Sequence, residues 1–109
     1  MKKGIRELEA RTNQWEQNLS EYWESEVIEK EYYKTDVETR TMIADLIFEL
    51  EIALSQFDKE LLFKIDSLDQ ELMSNWLEGD FIWPREWIPV YGKGEYWWLY
   101  GLPRVTSNN

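Results

Sequence analysis

The chain has 109 residues, 43% of them hydrophobic and 16% aromatic, with 22 acidic against 12 basic side chains and neither histidine nor cysteine. A net charge of −10 repels nucleic acid and anionic membrane surfaces, leaving basic surfaces and metal cations as the natural partners. The missing cysteine excludes disulfides, thiolate metal sites and a cysteine nucleophile, and the aromatic content argues against intrinsic disorder.

This length suits a single domain over residues 1–109 with a core of its own. The opening "MKKGIRELEA" has no apolar run after its lysines, and no stretch reaches transmembrane length, so no signal peptide and a cytoplasmic location are expected. Between Gly4 and Gly79 there is no glycine or proline, whereas all three prolines follow Gly79. That punctuation predicts an α+β fold, mainly α. A helical body of about three helices spans 5–78, and a short aromatic β-hairpin tail, 79–109, packs on it.

The first helix is predicted from Ile5 to about Glu24. Ile5, Leu8, Thr12, Trp15, Leu19 and Tyr22 recur at spacings of three and four and keep one face apolar. Beyond Trp23 the register fails, because continuing would rotate Glu26 onto that face and turn Val27 and Ile28 away from it. A bend or loop is therefore expected within Glu24–Lys34.

A second helix is predicted to start at "TDVE", with Thr35 as N-cap and Glu38 in capping-box position. Ile43, Leu46, Ile47, Leu50, Leu54 and Phe57 form its main apolar stripe, and Ala44, Phe48 and Ile52 a second one. "SQFD" at 55–58 reads as a kink, a tight turn or an uninterrupted helix. A third stripe, Leu61, Ile65, Leu68, Leu72 and Trp76, leads to Gly79 as a C-cap. In the tail, Pro84 and Pro89 break the chain, and "VYGKGEYWWLY" reads as a hairpin around its glycines. The tail tryptophans are expected to cover the helices, so Trp83, Trp87, Trp97 and Trp98 should be largely shielded from water.

Catalytic patterns are missing. No serine lies in a G-x-S-x-G or S-x-x-K setting, no glycine-rich phosphate loop exists, and carboxylate pairs are too common for any one to mark a glycosidase. The expectation is a protein that is not an enzyme. Carboxylates without nitrogen or sulfur ligands favour hard cations, calcium or magnesium, although the EF-hand pattern is missing.

Asp36 is the leading metal-ligand candidate, because it follows the irregular acidic segment and opens the second helix beside Glu38. Glu38, Asp45 and Glu49 project on one helical face with no basic residue between them, so like charges there repel unless a cation intervenes. Glu31 comes from the acidic segment itself. Asp69 points into the apolar arc of Leu62, Ile65, Met73 and Trp76, and Asp80, with Asp66, offers a second location. Each has a plainer role: Asp36 and Glu38 suit the helix dipole, Glu21, Glu24 and Glu31 a solvated face, and Asp69 an ion pair with Arg40, Arg85 or Arg104.

From "RELEARTNQWEQ" to "YWWLYGLPR" the chain resembles the cyanobacterial calcium-binding protein CcbP family in size, acidity, helical body, tryptophan-rich tail and lack of an EF-hand. That resemblance implies a Ca2+ buffer linked to control of cell differentiation, with surface carboxylates as ligands. It lends the ion and not a residue list. The competing expectation is an acidic interaction module, a nucleic-acid mimic, inhibitor or immunity protein, that binds a basic protein partner.

Overall fold

The computed structural model describes the backbone of residues 2–25, 28–57 and 59–104, and the side chains of residues 4–25, 28–49 and 59–104. Three helices, α1 (Lys2–Glu24), α2 (Lys30–Phe57) and α3 (Lys59–Met73), precede two strands, β1 (Trp76–Phe81) and β2 (Tyr100–Pro103). The fold is thus mainly α with a small β element. No helix among the described residues is long and apolar enough to cross a membrane.

In α1 the anticipated face is the buried one: Leu8, Thr12, Trp15, Leu19 and Tyr22 are all in the core. Thr12 satisfies its own hydroxyl by donating to the Leu8 carbonyl at 2.8 Å. The helix stops where the register fails. The Ser25 amide donates to the Tyr22 carbonyl and its hydroxyl to that of Glu21, closing the last turn. The expectations for Glu26 and Val27 lie outside the described residues.

Helix α2 starts at Lys30, earlier than "TDVE" implies. Thr35 is no N-cap; its hydroxyl bonds back to the Glu31 carbonyl at 3.3 Å, inside the helix. The reason is tertiary. Tyr33 and Val37 are buried and extend the inner stripe of α2 backwards, towards partners supplied by the distant tail. Further along, Ile43 is buried and Ala44, Leu46 and Ile47 are half-buried, but Phe48 is 81% exposed and adds nothing to a second stripe. The expectations for Leu50, Ile52, Leu54 and Phe57 concern side chains outside the described residues.

The chain then folds back. In one continuous helix Arg40 and Asp69 would lie about 43 Å apart, yet their side chains meet at 2.7 Å. The reading of "SQFD" as kink, turn or helix falls partly on Asp58, outside the described residues. Returning along the body, α3 buries Ile65, Leu68 and Leu72. Lys64 ties it to α1 through Glu16 at 2.9 Å and Asn13 at 3.0 Å.

Gly79 is not a C-cap. Helix α3 ends at Met73, where Ser74 and Asn75 turn their side chains onto the Gln70 and Glu71 carbonyls. The chain then enters β1, which pairs antiparallel with β2: Trp76 opposite Pro103, Leu77 opposite Leu102, Glu78 opposite Gly101. Gly101 has a φ of +147°, and a Cβ there would collide with the Leu77 carbonyl and the Trp76 indole.

The β-hairpin therefore differs from the one read in "VYGKGEYWWLY". Gly92 does carry a turn, since its carbonyl accepts from the Glu95 and Tyr96 amides, but the flanking arms do not pair. Pro89 has no N–H to give a ladder, and residues 85–91 wind into short helical turns instead. The whole segment 82–99 becomes a long connection between the strands. Its Ile82, Trp98 and Leu99 complete the core against the helices.

Candidate functional site

The six carboxylates singled out as metal ligands fall at five places, with Glu38 and Asp45 sharing one groove. Glu31 is exposed in the first turn of α2, 4.0 Å from the Lys34 ammonium. Asp80 is exposed on β1 beside Arg85 and Lys93. Asp69 is held by Arg40 in a two-point ion pair, Nε to Oδ1 at 2.9 Å and Nη2 to Oδ2 at 2.7 Å. Asp36 faces α1, whereas Glu38 and Asp45 face the tail. Because α2 already runs through these positions, residues two apart point to different sides, so Asp36 and Glu38 share no site. Among the described residues no three carboxylates gather at metal-binding distance.

Asp36 belongs to a cleft of about 380 Å³ at the break between α1 and α2, lined also by Glu21, Tyr22, Ser25 and Glu29. The Tyr22 hydroxyl donates to Asp36 Oδ2 at 2.6 Å. Burial, and then this bond to an anion, push the Tyr22 phenol far above its ordinary range. The pair is therefore a neutral phenol donating to a carboxylate.

Deeper in, Arg40 is the centre of the molecule's polar interior. Its guanidinium lies 3.9 Å from the centroid of the Trp98 ring while binding Asp69. Trp98 is fixed in turn: its indole N–H donates to the Thr41 hydroxyl at 3.0 Å, and its carbonyl accepts from the Tyr33 hydroxyl at 2.6 Å. Burial pushes the Tyr33 phenol well above its usual range. One indole thus joins α2, the tail and, through Asp69, α3.

A groove of about 360 Å³ lies outside this cluster, between α2 and the tail. Glu38, Met42 and Asp45 form one wall, and Trp83, Trp87 and Tyr91 line the other. Trp83 is anchored by its indole N–H donating to the Lys34 carbonyl at 3.1 Å. Pro84, with φ −56°, starts the turn in which the Tyr91 amide bonds to the Trp87 carbonyl at 3.1 Å. This four-residue spacing stacks the Trp87 and Tyr91 rings at 6.0 Å and 19°, and Trp83 stands nearly perpendicular to both. Tyr100 locks the far end through its hydroxyl on the Tyr91 carbonyl, 2.7 Å away.

Asp45 also lines a neighbouring hollow of about 400 Å³, formed with Phe48, Glu49, Glu95 and Tyr96. The Tyr96 phenol is raised above its usual value, by burial and then by the Asp45 charge. Among the described residues, no lysine or arginine lines either hollow.

One expectation changes here. Trp98 is buried and Trp83 and Trp97 are half-buried, but Trp87 is 48% exposed. Sequence reasoning also missed Tyr33, Trp98 and Tyr91 as organising residues. The spacing Trp83, Trp87, Tyr91 after a proline-initiated turn was the available signal for the last. Comparison of the chain with protein-family models, curated proteins and solved structures finds no match.

Proposed function

We propose that this chain is an acidic interaction module that binds a basic protein partner. The supporting observation is that two adjoining hollows meet at Asp45 and combine exposed carboxylates with aromatic rings, with no basic residue in their walls among the described residues. Carboxylates grouped in this way attract a cationic surface over a distance and set its orientation, and the rings add contact area once it arrives. The test compares two variants of equal net charge. In the first, Glu38→Gln, Asp45→Asn and Glu49→Gln neutralise this face; in the second, Glu9→Gln, Glu60→Gln and Glu71→Gln neutralise α1 and α3. Anisotropy of a labelled arginine-rich peptide is followed across a salt series. The face variant is expected to lose affinity and salt dependence, and the control to keep both. Equal losses in the two would reduce the binding to net charge and reject the reading.

A second reading is calcium binding, in line with the resemblance to the cyanobacterial family. Its support is the acidic lining of the cleft at the α1–α2 break, Glu21, Glu29 and Asp36, although these three do not gather at metal-binding distance. Calorimetric titration of the metal-free protein with calcium, with magnesium as control, tests it. Saturable heat lost in Asp36→Asn supports the reading, and no heat at millimolar calcium rejects it.

A further inference from the structure

The Arg40 cluster shows which side chain the outer groove suits. Inside, a guanidinium stacks on the Trp98 indole and binds the Asp69 carboxylate through two nitrogens. Outside, the groove presents an exposed Trp87 ring and the Glu38 and Asp45 carboxylates. The aromatic and anionic parts recur; only the cation is supplied from elsewhere.

We propose that this groove seats an arginine side chain of the basic partner, its guanidinium over the Trp87 ring and paired with Asp45 or Glu38. The proposal rests on the interaction reading above and gives it a location and a specificity. Two physical points select arginine over lysine. A guanidinium is planar, so it lies flat on an indole while its edge stays free for a carboxylate. It is more weakly hydrated than an ammonium and gives up water more readily on entering a groove. Met42 and Pro84 in the groove wall give apolar cover to the side-chain stem, as they would for either cation. Charge complementarity supports the choice, since among the described residues neither groove wall carries a cation to compete with the arriving one.

The full chain is titrated with an arginine-rich peptide and with its all-lysine counterpart of equal length and charge. Binding is read by anisotropy, and the indole N–H resonances of the tryptophans are followed by NMR. The arginine peptide is expected to bind about tenfold more tightly than the lysine peptide, with the Trp87 resonance moving most. Trp87→Leu should remove the preference, and Trp87→Phe, which keeps a ring face, should retain much of it. Asp45→Asn should weaken the arginine peptide more than the lysine peptide. If both peptides bind with salt-sensitive, equal affinity while the Trp87 resonance stays fixed, the arginine seat is wrong and the interaction reading survives. If neither peptide binds, the interaction reading fails and the seat fails with it. The resonance measurement uses the unaltered chain, so a variant that folds poorly cannot hide the outcome.

Discussion

The Arg40 cluster and the outer groove use the same chemical parts and do opposite things with them. Inside, Arg40 and Trp98 are buried, and the guanidinium meets both the Trp98 ring and the Asp69 carboxylate, whose side chain is 17% exposed. Outside, Trp87 and Asp45 meet solvent, and among the described residues the carboxylate has only a long 3.4 Å contact to the Tyr96 hydroxyl. The lesson is about satisfaction. A carboxylate matched by a buried guanidinium secures the fold, because losing either partner strands a charge in a poor solvent. One facing water costs the fold little and stays free for a partner. Four carboxylates arrange themselves along this scale: Asp69 is half-buried and held by a guanidinium, Asp36 is half-buried and held by a phenol, and Asp45 and Glu78 are exposed.

The strongest way to break the inner site is to remove what covers it. A chain ending at Glu78 lacks Ile82, Trp98, Leu99 and all of β2. It is expected to lose cooperative unfolding and to aggregate; a soluble 1–78 fragment with a sharp melting transition would contradict the single-core architecture.

Asp69→Asn comes next. It leaves the Arg40 charge buried without its counter-ion, at a cost of about 3–5 kcal/mol in urea denaturation. Replacing both partners, Arg40→Met with Asp69→Leu, should cost less than the single change, because no charge is stranded. Asp45→Asn applies the same chemistry outside, and its unfolding free energy should stay within about 0.5 kcal/mol of the parent. Comparable losses at positions 69 and 45 would erase the distinction between the two sites.

Asp36 tests the middle of the scale. Tyr22→Phe removes a hydrogen bond to a charged acceptor, which should cost about 1.5–3 kcal/mol at neutral pH. The pH dependence has a definite sign. Because the Tyr22 and Tyr33 phenols are raised in the folded state, the stability tied to their neutral forms is complete below the ordinary tyrosine value of about 10. It is lost as pH climbs above that value, since only the unfolded chain then ionises readily. Chemical denaturation between pH 8 and 11.5 should show this decline, and Tyr22→Phe should make it shallower.

The smallest effect belongs to Glu78. Its hydrogen bond from Lys93 lowers its carboxyl below the ordinary 4.5, so any stabilisation is present above that value and lost as pH falls through the lowered one. Both side chains are exposed, and water screens the pair. Lys93→Met should leave the melting temperature at pH 7 unchanged within error, and a clear drop would show that the β1 surface matters more than its exposure implies.

The helical body was legible wherever burial follows a local period. The α1 stripe, its end near Glu24, and the α3 stripe through Ile65, Leu68 and Leu72 all sit where spacing alone put them. The start of α2 was misread because "TDVE" carries a genuine capping pattern that tertiary contact overrides. Tyr33 donates to a carbonyl 65 residues away, and no local window contains that partner. The carboxylate row Glu38, Asp45 and Glu49 was visible as a helical face, but the rings opposite it were not. They arrive from positions 83–91 only after the chain has returned to α2.

By itself the sequence determined an acidic chain with an apolar face on each helix and a proline- and glycine-punctuated aromatic tail. Composition and periodicity act locally, and the same residues would show them in any arrangement. Tertiary structure alone decided which carboxylate became interior and which stayed open. Asp69 came to rest on Arg40 beneath Trp98, Asp36 on Tyr22, and Asp45 beside an exposed aromatic wall. Burial and charge pairing depend on which distant segments meet, and a carboxylate's cost or usefulness follows from that meeting rather than from its place in the chain.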